Sequence, residues 1–267
     1  FIAAIAVLYV SGQGADEIVK CHTYEMTDKL IEEHPEIIQT IENAEAQLEE
    51  TRRMPNLAKD GDVYTIPVVF HIVHNFGDEN ISFDQIQNAI DVMNEDFSAQ
   101  NADAQSVNSA FQDLVANVGI RFALAQRDPD GNCTNGVVRT VSALTNQGGE
   151  NLKEISPIWD RSRYMNIWVC RTIASGAAGY TYYPSSLAGS FGETNDGIVV
   201  RSDYVGRIGT SNWQRSQTLT HEVGHWIDLP HLWGSTNSPE EENNCNTDDG
   251  ISDTPNTIGW TNCAFNG

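Results

Sequence analysis

The segment HEVGHWIDLPH, from His221 to His231, gathers three of the chain's seven histidines around one glutamate. His221 and His225 are four residues apart, so on a helix they lie one turn apart on one face and both imidazoles can reach a single ion. Glu222 sits beside the first of them and points partly elsewhere, which suits a base next to a metal-bound water rather than a ligand. His231 follows six residues after His225, and a straight helix would carry it off that face. The helix must therefore end and the chain bend back. Pro230 forbids continuation, and Asp228 tolerates the left-handed backbone of such a reversal better than most non-glycine residues. Three neutral imidazoles leave a fourth position open, as a catalytic zinc site requires. The expected chemistry is hydrolysis: zinc lowers the pKa of its bound water to about 7, Glu222 takes the proton, and hydroxide attacks a carbonyl.

These groups need a scaffold. VYTIPVVFHIV, from Val63, is a β-branched run that predicts a buried strand, with Pro67 placing its first half near an edge or a bulge. Ser82 and Gln85 form a capping-box pair ahead of a helix whose Phe83, Ile86, Ile90, Met93 and Phe97 recur at helical spacing. GIRFALAQ, MNIWVCRTI, GYTYYP and DGIVVRSDYVG read as four further strands, and roughly 213–228 as the histidine-bearing helix, with Leu219, Val223, Trp226 and Ile227 as its core face. Strands mixed with helices predict an α+β fold of α/β-like character around a twisted sheet. His71 and His74, three apart on a strand, face opposite sides, which favours packing or hydrogen bonding over a second metal site.

Upstream, the first ten residues, FIAAIAVLYV, are all apolar and SGQGA follows, like the apolar core and cleavage region of a secretory signal peptide entered partway. Ten residues are too few to cross a bilayer, and no other segment is long and apolar enough. Residues 16–60 are strongly acidic and read as helix with a thin apolar stripe (Leu30, Ile37, Ile38, Ile41, Leu48) broken at Pro35. The expected organisation is a signal remnant over 1–15, a small helical propeptide over 16–60 and a catalytic domain over 61–267. A net charge of −22 excludes nucleic acid and an anionic membrane surface as partners. Export makes disulfides possible among the five cysteines, with Cys133 and Cys170 as one expected pair. Cys245 and Cys263 either pair together or have partners beyond the chain.

HEVGHWIDLPHLWG, together with IPVVFHIVHN, ISFDQIQNAIDVMNEDF and CNTDDGISDTPN in that family's order, resembles the pappalysin family of metzincin metallopeptidases over about 63–267. The resemblance implies a zincin fold with a mixed five-stranded sheet, a backing helix and an active-site helix. It implies a secreted zinc endopeptidase acting on proteins or peptides. The substrate would lie antiparallel to an upper edge strand, best matched by Gly179, Tyr180, Thr181 and Tyr182. It also implies calcium in the acidic loop, at Asp248, Asp249, Asp253 and Thr254 with a carbonyl near Ile251, a set whose chemistry suits a hard cation. A Met-containing turn is expected downstream of the third histidine. All four methionines precede His221, so that turn is expected beyond Gly267. Cys21, in VKCHTYE, could place its thiolate in the open zinc position, with His22 as a lesser alternative, so that the propeptide acts as an intramolecular inhibitor. Activation would then need a cut near Arg52, Arg53 or Lys59. The competing reading is a non-catalytic extracellular binding module stabilised by zinc and calcium; such a module has no need of Glu222.

Overall fold

The computed structural model describes residues 21–53, 62–107, 109, 112–234, 236–251 and 256–259; the 1–15 segment expected to be a signal remnant lies outside them. Two helices come first, α1 (Thr23–Glu33) and α2 (Ile38–Arg53), separated by a short 3-10 turn that begins at Pro35. Then follow β1 (Tyr64–His74), α3 (Phe83–Phe97), β2 (Ile120–Leu124), β3 (Val137–Val141), the short α4 (Asn151–Ile155), β4 (Met165–Cys170), β5 (Gly179–Tyr180), the single turn α5 (Gly192–Asn195), β6 (Ile198–Arg201) and α6 (Thr218–Trp226).

The sheet runs β2-β1-β4-β6-β5, with β3 also on β1, and only β5 is antiparallel. The expected five strands are thus six. VVRTV, a five-residue run, is the strand that sequence reading missed. Its reason for existing is β1, whose eleven residues are too many for one short neighbour. β2 pairs with Tyr64 to Val68, and β3 takes over the same flank at Phe70 to His74, so the two short strands share one side of β1 in turn. On the other flank β4 pairs from Val68 onward. Pro67 therefore lies in the half of β1 that β4 does not reach, where its missing N–H costs no ladder bond.

Parallel strands covered on both faces read as continuous apolar runs, and β4 is buried along its whole length. Val68, Phe70, Ile72, Met165, Ile167, Val169, Ile198 and Val200 face α3 and α6, packing on Ile86, Ile90, Met93, Phe97, Leu219 and Val223. Trp168, Cys170, Val199, Tyr180 and Leu152 form the opposite layer. His71 belongs to that side: its ring stacks on Trp168 at 4.7 Å, and its nitrogens meet Ser156 Oγ at 2.9 Å and Asn166 Oδ1 at 3.0 Å. The packing role expected of it is what the fold uses.

Two expectations need correction. The capping box forms only in part: Ser82 Oγ accepts from the Gln85 N–H at 3.1 Å, but the Gln85 side chain donates to the carbonyls of Ser202 and Val205 instead of reaching back. The Cys133–Cys170 disulfide is absent; both are free thiols. Cys170 points from β4 into the core, where burial pushes its pKa up to about 12, whereas Cys133 is exposed on a turn. Among the described residues no helix is long and apolar enough to cross a membrane.

Candidate active site

α6 is fixed before it carries any chemistry. Leu219 and Val223 sink into the core against α3, and buried Thr220 donates to Asp96 Oδ2 of α3 at 2.6 Å. The helix ends as its sequence requires. Asp228 adopts φ 74°, its N–H bonds to the His225 carbonyl at 2.9 Å, and the Leu229 N–H bonds to the Gly224 carbonyl at 2.9 Å. That pair of bonds is a Schellman reversal with Asp in the position usually held by glycine. It sends the chain back so that His231 arrives beside the helix.

The three rings converge through Nε2. The separations are 3.0 Å for His221–His225, 3.1 Å for His225–His231 and 3.3 Å for His221–His231. His225 Nδ1 lies 2.7 Å from the Leu229 carbonyl and His231 Nδ1 lies 2.7 Å from the Thr236 carbonyl. Carbonyls only accept, so both rings carry their proton on Nδ1 and present bare lone pairs at Nε2. Bare lone pairs aimed at one point need a cation between them. Zinc–nitrogen bonds of about 2.0–2.1 Å in a tetrahedron set nitrogen–nitrogen edges of about 3.3 Å, so the donor set fits that ion. Burial also holds the rings neutral, lowering His221 to about 3 with some help from neighbouring His231, lowering His231 to about 4, and holding His225 well below 6.5. His231 is braced further by stacking on Trp233 at 4.5 Å.

Glu222 is fully buried, and desolvation raises its pKa to about 8. Its Oε2 accepts from Thr23 Oγ1 at 3.4 Å and lies 3.8 Å from Cys21 Sγ, while Oε1 has no hydrogen-bond partner among the described residues. Gly179 of β5 covers it: a Cβ there would stand 3.0 Å from Glu222 Cγ and 3.2 Å from Oε1. Cys21 closes the cluster. Its Sγ and the three ring nitrogens all lie within 4.8 Å of one another, the one grouping of three or more metal-type donors among the described residues. Burial, and then the nearby Glu222 carboxylate, pushes its thiol pKa up; a cation among the four would act the other way.

The edge strand sits where it was expected. The Gly179 carbonyl accepts from the His22 N–H at 3.4 Å, and the Thr181 N–H donates to Thr23 Oγ1 at 3.3 Å. Tyr180 and Tyr182 turn to the opposite face, and their rings lie 6.3 Å apart. Only two residues of β5 pair with β6, so side chains do much of the anchoring. Tyr180 donates to Glu150 Oε1 at 2.7 Å, and Thr181 Oγ1 donates to the Gly197 carbonyl at 3.1 Å. Lys153, its side chain 3% exposed, pairs with Glu150 at 2.9 Å and donates to the Asn195 carbonyl at 2.6 Å. Its ammonium also sits 5.3 Å from the Trp168 ring centre and 5.5 Å from that of Tyr182.

Sequence reading missed Thr23, Glu150, Lys153 and Tyr183, whose hydroxyl lies 3.3 Å from His225 Nδ1. Of the residues expected to bind calcium, Asp249 is buried with its Oδ1 accepting from the Ile251 N–H at 2.9 Å, and Asp248 is exposed. Asp253 and Thr254 lie outside the described residues.

Residues 149–267 match the peptidase family described as pregnancy-associated plasma protein-A. A promirolysin variant from Tannerella forsythia superposes with a TM-score of 0.74 at 35% identity, covering 89% of this chain and 76% of that one. Mature mirolysin from the same organism, in complex with a cleaved peptide, gives 0.67 at 38% identity over 76% of this chain and 74% of that one. Among curated proteins, an extracellular metalloprotease of Arthroderma gypseum is 28% identical over 72% of this chain, and one of Pyricularia oryzae is 27% identical over 87%. The chain spans 55% and 71% of the lengths of these two relatives.

Proposed function

This chain belongs to the pappalysin family of metzincin metallopeptidases, and from that premise we propose that it is a secreted zinc endopeptidase made as a latent proenzyme. The observation that carries the proposal is the meeting of three histidine Nε2 atoms, one thiol and one buried carboxylate in a single pocket. Secretion rests on the relatives, which are named extracellular metalloproteases.

His221, His225 and His231 are the proposed zinc ligands; when bound, the ion polarises the scissile carbonyl and makes water acidic enough to ionise near neutral pH. Glu222 is the general base. Its place next to the first ligand, with Oε2 3.8 Å from the Cys21 Sγ that occupies the open position, suits a group that takes a proton from water there and returns it to the leaving amine. The peptide adds to the sheet edge as an extra strand, its backbone held by the Gly179 carbonyl and the Thr181 N–H. Gly179 lets that strand approach Glu222 without a clash.

In the proenzyme, residues 16–60 are the inhibitory segment. Cys21 takes the position water would need, and His22 and Thr23 take the two backbone groups that a substrate would use. We also propose calcium in the loop of Asp248, Asp249, Asp253 and Thr254, whose oxygen donors suit a hard cation. The burial of Asp249 and the left-handed turn at Gly250, with φ 74°, support that reading. The binding-module reading is not carried forward, because nothing in it explains a buried carboxylate beside three converging imidazoles.

The test is cleavage of casein by the activated full-length protein, with and without a chelator, beside Glu222→Ala. Loss of cleavage in both arms is expected. A variant that cuts as fast as its parent would overturn the mechanism.

A further inference from the structure

On the far face of the edge strand, Leu30 of α1 is buried to 4% exposure against Tyr182 and Leu187, with Met26, Ile37 and Phe191 packed around them. The body makes the wall of this pocket without help from α1. The Leu187 carbonyl accepts from Arg161 Nη1 at 2.9 Å, Arg161 Nε donates to Asp196 at 3.0 Å, and Asp196 accepts from the Trp226 indole at 2.8 Å, which ties the wall to α6. Tyr182 is held edge-on to Phe191 at 5.6 Å and lies under the Lys153 ammonium. When 21–53 departs, an apolar hollow is left beside the same strand that offers the Gly179 and Thr181 backbone groups.

Resting on the peptidase reading above, we infer that Tyr182, Leu187 and Phe191 form a substrate subsite for an apolar side chain upstream of the cut, which Leu30 fills in the proenzyme. Edge-strand addition fixes the geometry. Side chains of an added strand alternate between the two faces, and those on the face of Tyr182 become its cross-strand neighbours. Gly179 lies against Glu222 and marks the place of the chemistry. An antiparallel substrate therefore runs upstream as the edge runs on toward Tyr182, and its partner there stands roughly two to four positions before the scissile bond. Leucine, methionine and valine suit the pocket. Glutamate and lysine do not, because their charges would lose water among aromatic and aliphatic groups.

The experiment uses activated full-length protein and a set of quenched fluorogenic peptides alike except at those upstream positions, where Leu, Ser, Glu and Lys are exchanged. At one position kcat/KM should be about tenfold higher for Leu than for Ser or Glu. Phe191→Ala alters a half-buried residue and should reduce that preference severalfold, chiefly by lowering kcat/KM for the Leu peptide. Equal rates for every peptide, or an undiminished preference in Phe191→Ala, would overturn the subsite and mark the hollow as a seat for the proenzyme segment alone. If no peptide is cut, the peptidase reading itself falls and this inference falls with it.

Discussion

Residues 21–53 and α3 are both helical and both amphipathic, yet they are held by different means. α3 buries eight residues along one face, including Ile86, Ile90, Met93 and Phe97, and is part of the core. α1 buries only Thr23 and Leu30, and α2 has no fully buried residue among those described. A wide apolar stripe makes a helix permanent, because removing it would expose a core face. A thin stripe cannot do that. The upstream segment is fastened instead at its start, where Cys21, His22 and Thr23 meet the histidines, Glu222 and the β5 edge. Contact concentrated at the site, with few buried residues elsewhere, is what the proposed latency requires of this segment.

Exchanging one residue on each side of that contact should produce the largest effects, and of opposite sign. Glu222→Gln in the activated full-length protein is expected to lower kcat/KM by about three orders of magnitude. Cys21→Ser in the uncut protein is expected to raise activity, giving measurable peptide cleavage before processing. An uncut serine variant as silent as its parent would mean that Thr23 and the backbone contacts suffice for latency.

The body should also carry an acid sensitivity of its own, at buried His71. Burial lowers the His71 pKa to about 4, against 6.5 when unfolded. The fold favours the neutral ring, so its contribution is complete above about pH 6.5 and is lost as the pH falls toward about 4, to the extent of roughly 3 kcal/mol. Urea unfolding across that range should show the loss in the parent and a flatter profile in His71→Gln. A slope unchanged in the variant assigns the effect to other groups. Lys153→Met comes next. It leaves behind a Glu150 side chain that is 30% exposed and can rehydrate. A destabilisation of about 2 kcal/mol is therefore expected by thermal melting, less than for a fully buried partner, with a raised KM as β5 loosens. The smallest effect belongs to Asp228→Gly, at a position where φ is 74°. Relief of that left-handed backbone opposes the greater freedom of unfolded glycine, so stability should change by less than about 1 kcal/mol. A loss of several times that size would give the Asp228 side chain a role of its own.

What could be read in advance follows how local each cause is. The histidine trio was legible because helical spacing, an Asp that accepts positive φ and a following Pro all act within eleven residues. The edge strand was legible for a similar reason, a Gly beside alternating tyrosines. Lys153 and Glu150 were not, because an i, i+3 charge pair looks solvated until β5 and the Asn195 carbonyl close over it. Thr23 was hidden because its partners lie 158 and 199 residues away. β3 depended on the length of β1, which no local window measures. The expected disulfide failed because a turn cysteine was matched to a strand cysteine without knowing that the second faced inward from a fully buried strand.

One last consequence lies in the bare α-carbon of Gly179, which leaves Glu222 Cγ only 3.0 Å from where a methyl would begin. The edge strand and the helix bearing the base come close enough there that no side chain fits between them. A single added carbon at this point would press directly on the stem of the proton carrier, which would have to give way by a few tenths of an ångström.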